Sequence, residues 1–332
     1  MCGQLITVTK GVLMKHIVES DFADLVQFAH GGPTPSDLRQ RMQEALNALN
    51  KFSVCAVTGL HVRTVFFRLL TRAILTRYPA IAKWDTLPIK RVQREAEHLS
   101  CDYPLSVGVG DVMGLNLINS LGGHAFGDAS LRRVARAMLG AFADEGLECN
   151  CSRHGGDEFV FAAEITFETM MEIRARINKK VERLTIDCDG PMQNLWVDIG
   201  IASFEEAVRL FGEHIGDIGD IPIGGRVTRL VNLFVEIANA RSEVIKTFER
   251  ITFLVALYNN RAAFEYATKF LGKGVGALTE RKIRGLAQMR DEDPARYRKM
   301  VRGIALTPKP LYHDPLSELV DTHVRNSFDT SF

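Results

Sequence analysis

The spacing of apolar positions changes several times along the chain, and each change marks a predicted element. Leu105 to Val112 is a short run of small and β-branched residues, broken only by glycines and Asp111, and predicts a buried strand. A helical period follows over 128–142. Two strand-like stretches, 147–153 and 159–165, enclose a glycine turn at Gly155-Gly156. Residues 167–184 read as a helix, 195–202 as a strand and 228–250 as a helix. This alternation predicts an α/β (α+β) sandwich over 53–254, with an antiparallel hairpin at its centre.

The ends read differently. A short strand at 5–8 and a helix precede a break at Gly31-Gly32-Pro33-Thr34-Pro35. Ser36 then has the character of an N-cap for a helix to Phe52. Its apolar residues Leu38, Met42, Ala45, Leu49 and Phe52 are spaced 4, 3, 4, 3. That stripe suits a dimerising stalk or an amphipathic helix packed on its own domain. From 255 to 332 the pattern is helical without strands, with Lys and Arg concentrated between 273 and 302. Solvated helix faces account for those charges. The expected organisation is an N-terminal region over 1–52, a central domain over 53–254 and a helical extension over 255–332.

Composition narrows the function classes. Of 332 residues, 46% are hydrophobic and 24% charged, which supports a buried core. A net charge of +1 gives no electrostatic case for a nucleic-acid partner or an acidic membrane. No apolar run is long enough to span a bilayer, and the start lacks a secretory pattern, so cytoplasmic residence is expected. The six cysteines form no CxxC pair and are expected to be reduced.

The chemistry gathers around Gly155-Gly156-Asp157-Glu158-Phe159, a glycine turn carrying adjacent carboxylates. Asp111 sits at the end of its predicted strand. If that strand pairs beside the hairpin, Asp111 and Asp157 converge into an oxygen site for a hard cation such as magnesium. Glu158 would be a further ligand or the acceptor of a proton from an attacking hydroxyl. Asn119 and Asp128 could together read the guanine edge, whose two N–H donors match a carboxylate. Taken singly, an acidic hairpin is a solvated turn, and Asp128 an N-cap.

Together these residues resemble the GGDEF family of diguanylate cyclases. The pentapeptide at 155–159 matches letter for letter. The stretch Asp111 to Asp128 is similar, without a gap, to D-x-D-x-F-K-x-I-N-D-x-x-G-H-x-x-G-D. Thr58-Gly59-Leu60-His61-Val62-Arg63 resembles L-T-G-L-x-N-R, and Val197 to Ala202 resembles the strand S-I-G-x-A. Ala238-Asn239 through Lys246 and Arg250 is similar to A-D-x-A-L-Y-x-A-K-x-x-G-R, with Lys and Arg four residues apart.

The resemblance implies a palm-like nucleotidyl-cyclase domain, with a helix-flanked sheet and helical extensions at both ends. It implies that two GTP are joined into cyclic di-GMP and pyrophosphate across a homodimer, for downstream cyclic di-GMP effectors. Magnesium, or manganese, would be held by Asp111, Asp157, Glu158 and the Val112 carbonyl. Glu158, with Asp157, would be catalytic, and Asn119 and Asp128 would read guanine. Lys246 and Arg250 would hold distal phosphates, helped by backbone amides around Gly114, Leu115 and Asn116. Departures are also visible. Met113 replaces an acid, Asn116 a lysine and Ser120 an Asp, while Cys55 and Val62 replace an opening Asp and an Asn. Gly146 and Cys149 stand where many relatives carry an R-x-x-D product-inhibition site, so no feedback through it is expected. The spacing also predicts insertions near 78–100 and 204–225.

Overall fold

Ser106–Val112 (β2) is buried along its whole length, as a central strand must be when helices cover both faces of its sheet. The protein is described by a computed structural model over residues 53–182, 195–216, 225–271, 279–307 and 315–327. The readings at 5–8 and 36–52 lie outside these residues. Around β2 stand His61–Val62 (β1), Asn150–Gly155 (β3), Glu158–Ala163 (β4) and Val197–Ser203 (β5). The sheet order is β1-β3-β4-β2-β5, with only the β1–β3 pair parallel. The α/β class with a central antiparallel hairpin is therefore observed.

Side-chain alternation splits the interior into two layers. Val107, Val109, Val160 and Ala202 face Arg63–Arg77 (α1) and Arg226–Leu257 (α6). Phe159, Phe161, Val197 and Ile199 face Leu115–Ala143 (α3) and Phe167–Glu182 (α4). Helix α6 approaches β5 closely. A Cβ at Gly200 would stand 2.1 Å from the Ala238 carbonyl oxygen and 2.3 Å from the Ser242 nitrogen. Ser242 Oγ donates to the Asp198 carbonyl at 2.7 Å, fixing the register of helix on strand.

Both expected insertions carry helices, and they pack on each other. Pro79–Lys83 is a 3-10 turn, followed by Ile89–Glu97 (α2), and the later insertion begins with Phe204–His214 (α5). Trp84 stacks on Phe211 with centroids 6.0 Å apart, and Gly212 lets α5 press against Ala96. Asp85 Oδ1 accepts from the Gly225 and Val227 amides, at 3.2 and 3.1 Å, and so anchors the start of α6.

Helix α6 runs to Leu257, seven residues past the expected 250 and beyond the boundary expected at 254. Its last turns carry Ile251, Leu254 and Val255 into a third core with residues of Arg261–Leu271 (α7), Glu280–Glu292 (α8) and Pro294–Ala305 (α9). Pro315–Ser327 (α10) returns to the upstream half of α6, placing Val320 and Val324 in the first core. There Glu206 accepts from Arg241 at 2.7 and 2.8 Å and meets His323 Nε2 at 2.6 Å. Burial alone would raise the Glu206 carboxyl. The His323 hydrogen bond and the Arg241 charge outweigh it and hold the group below its ordinary value. Cys149 and Cys151 have their sulfurs 3.3 Å apart and, with Cys55 and Cys101, are free thiols.

Two outcomes are expected. Gly200→Val should cost at least about 1–3 kcal/mol, read by urea melts, because backbone and not a flexible side chain blocks the new methyls. Because Glu206 binds its proton less readily folded than unfolded, its stabilisation is full above the ordinary glutamate range and lost as pH falls through the depressed value. Glu206→Gln should cost about 3 kcal/mol near neutrality and flatten the acid limb of the stability profile.

Candidate active site

Glycine makes the hairpin possible, and arginine holds it. Gly156 has φ 28°, and the ladder between β3 and β4 shifts register between Arg153 and Gly155. Arg153 Nε and Nη2 donate to the Gly156 carbonyl at 3.0 and 2.5 Å, and Nη1 reaches Cys55 Sγ at 3.4 Å. Cys55 thus faces the arginine where relatives commonly have an acid.

The condition set by the sequence is met, since β2 pairs with β4 directly beside the turn. Asp111 is the ladder partner of Glu158, and the Val112 amide donates to the Asp157 carbonyl at 3.0 Å. On its other side Asp111 pairs with Asp198 of β5. The Met113 amide bonds the Trp196 carbonyl at 3.0 Å, so the end of β2 is clamped from both sides.

Asp111 is 4% exposed. Lys246 Nζ lies 2.8 Å from its Oδ2 and 3.0 Å from Glu243 Oε1, while Asp111 Oδ1 has no hydrogen-bond partner. The net value of the Asp111 carboxyl is raised to about 6, burial being the largest cause. Lys246 pulls it down, and the Asp157 charge pushes it up again. Burial alone would lower the Lys246 ammonium, but Asp111 and Glu243 more than offset that and keep it charged. Arg250, one turn further along α6, also acts on Asp111. The predicted Lys246 and Arg250 therefore share the predicted carboxylate's neighbourhood.

The segment after β2 forms a helix that begins earlier than expected. Gly114, at φ 74°, opens α3 in a left-handed conformation, and no side chain caps this end. The first-turn amides of Leu115 and Asn116 carry the positive end of the helix dipole. Gly123, at φ 75°, splits α3 into two segments. Asn119 lies within the first, and its Oδ1 lies 1.9 Å from where a Gly127 Cβ would sit. Asp128 is half-buried within the second segment, a turn inside its start, and is not an N-cap. Glycine at 127 leaves the space that the Asn119 amide occupies.

Met113 is fully buried in the second core, so the acid missing there is replaced by packing. Ser120 Oγ meets Tyr266 OH of α7 at 2.9 Å, which ties the C-terminal extension to the helix bearing Asn119. Asp198 was not among the residues singled out from the sequence. It is 1% exposed, and burial, then the Glu249 and Asp111 charges, push it up to about 8 against the pull of Arg250 and Lys246. Its signal was the mismatch with the first letter of S-I-G-x-A.

Among the described residues, no three His, Cys, Asp or Glu side chains already stand together as a metal cluster. The oxygen donors nonetheless suit a hard cation, because a buried Asp111 oxygen lacks a partner; the Lys246 ammonium neutralises the other oxygen and would have to yield to the cation. No described helix is long and apolar enough to cross a membrane.

The fold is a mixed α/β sheet flanked by helices, with its charged end where β2 meets the hairpin. Residues 89–217 match the family model described as "Diguanylate cyclase, GGDEF domain". Over this segment the chain is similar to the GGDEF family. Diguanylate cyclase A of Treponema denticola is 28% identical over 149 residues, 45% of this chain and 34% of that protein. The chain thus spans about a third of the curated relative that it matches. Among solved structures, the coiled coil and GGDEF domain of DgcB from Caulobacter crescentus, in complex with c-di-GMP, is 17% identical, with a TM-score of 0.37. That match covers 56% of this chain and 82% of that one. The GGDEF domain of TpbB (YfiN) from Pseudomonas aeruginosa is 22% identical over 56% of this chain and 88% of that one, with a TM-score of 0.36.

The pairing of Lys246 with Asp111 is testable without any ligand. Lys246→Met should cost about 3–5 kcal/mol near neutral pH, because it strands a buried carboxylate. The folded state binds the Asp111 proton more tightly than the unfolded chain, so this loss should shrink as pH falls through about 6. Adding Asp111→Asn should recover much of the loss in urea melts at pH 7.5.

Proposed function

We propose that this chain is a diguanylate cyclase, condensing two GTP into cyclic di-GMP and pyrophosphate in a homodimer. The observation that carries the reading is the meeting of Asp111 with the Asp157-Glu158 hairpin on one side and Lys246 on the other, beside the uncapped start of α3. Each domain would hold one GTP, and the 3′-hydroxyl of each would attack the α-phosphate of the other.

Asp111, Asp157, Glu158 and the Val112 carbonyl would hold magnesium or manganese, which supplies neutralisation of triphosphate charge and activation of the attacking oxygen. Glu158, exposed on the hairpin, would accept the hydroxyl proton. Lys246 would exchange its carboxylate partner for distal phosphate, joined by Arg250. The amides of Gly114, Leu115 and Asn116 would face the phosphates at a helix N-terminus. Asn119 and Asp128 would select guanine, because adenine would leave the carboxylate unpaired. Residues 36–52 or the C-terminal helices would set the dimer, in the cytoplasm, for downstream cyclic di-GMP effectors.

A second reading is a domain that binds GTP or a cyclic dinucleotide without turnover. It is favoured by the buried Met113 in place of an acid and by the engagement of Lys246 with Asp111 and Glu243.

The deciding experiment incubates the purified full chain with GTP and magnesium and follows cyclic di-GMP by mass spectrometry. Product is expected, and a dimeric sample that binds GTP but forms none selects the second reading. Glu158→Gln should lower kcat by roughly 10²–10⁴-fold at unchanged fold. Added cyclic di-GMP should leave the initial rate unchanged at concentrations that saturate an R-x-x-D site, since Gly146 and Cys149 occupy its positions.

A further inference from the structure

The paired ladders place Glu158, Asp111 and Asp198 in one row across β4, β2 and β5. Directly paired residues of antiparallel strands project to the same face, with Cβ atoms about 4.5–5.5 Å apart. That face lies under α6, since Val109, Val160 and Ala202 share its parity and pack there. The row ends in a buried acid where S-I-G-x-A has serine.

Asp198 is 1% exposed, and neither of its carboxylate oxygens has a hydrogen-bond partner. Such a group is costly to keep in a fold unless something compensates it. The cations within electrostatic reach are Lys246 and Arg250 of α6 and Arg174 of α4, and none donates a hydrogen bond to it. Glu249 adds a further negative charge nearby. Lys246 spends its contacts on Asp111 and Glu243. Asp111 Oδ1 is also without a partner, so adjacent ladder positions present unpaired oxygens from both Asp111 and Asp198.

We propose that Asp198 is a third carboxylate of the cation site centred on Asp111, giving this chain an affinity for a divalent cation that does not require nucleotide. The inference rests on the cation site of the proposed function but not on turnover. Carboxylate oxygens are the donors that magnesium and manganese prefer, and an added acid raises both the charge and the number of donors. Serine or an apolar residue at 198 would occupy the position without this charge. The acid therefore has a consequence that packing alone would not need.

The test is a titration of the nucleotide-free full chain with Mn2+, read by loss of the free-ion EPR signal. Wild type should bind Mn2+, and Asp111→Asn should abolish that binding. Asp198→Asn should weaken it by about 10–100-fold, the range found when groups supporting a metal site are removed. Asp198→Ser should do the same and serves as the second variant if the asparagine amide packs badly. Thermal melts without metal verify that each variant is folded. An affinity for Asp198→Asn and Asp198→Ser within about twofold of wild type, well short of that range, would overturn the proposal and make Asp198 a neutral buried acid. Wild type that binds no Mn2+ without nucleotide would overturn it as well. GTP turnover is read in a separate assay, so either idea can fail alone.

Discussion

Helix α6 can lie on β5 only because residue 200 has no side chain. With a Cβ absent there, the helix backbone drops against the strand, and Ser242 locks its rotation through the Asp198 carbonyl. One turn further along, that rotation sends Lys246 to Asp111. Central strand, hairpin and long helix then meet at one point, and the charges of three elements are balanced there. The sheet alone would leave a row of acids under an apolar layer, so the contact that builds the core also makes the site tolerable.

The elements nearest the chemistry were legible because their signals are local. The glycine turn, the apolar run ending at Asp111 and the strand from 197 announce themselves by composition, and the structure places all three in adjacent strands. The start of α3 was less visible. Gly122 and Gly123 interrupt its period, so the helix was expected only from 128, although Gly114 already opens it. The end of α6 was missed for a different reason. Residues 251–257 are held by packing against α7 to α9, and the sequence divided this stretch between two expected units at 254.

The candidate site shows the same division. Asp111, Asp157, Glu158, Lys246 and Arg250 could be named because spacing within motifs carries them, and they are neighbours in the fold. Asp198 was not, although its mismatch with S-I-G-x-A was visible, because its place beside Asp111 comes from ladder register, which spacing within a motif does not give. Tyr266 was hidden likewise, lying 146 positions from the Ser120 hydroxyl it meets. The two insertions were legible as excess length, but their mutual packing through Trp84 and Phe211 was not.

Helix α6 has 32 residues, which at about 1.5 Å each is a rod of roughly 48 Å. One end is bound into the insertions, the middle bears Lys246 and Arg250, and the far end is the wall of a separate core. The C-terminal helices are therefore not cargo fused behind a finished domain. A cut at residue 254 would leave Ile251 and Leu254 as a greasy stump and remove the hydroxyl that steadies Ser120. Any graft or truncation of the extension therefore also cuts into the helix that brings Lys246 to Asp111.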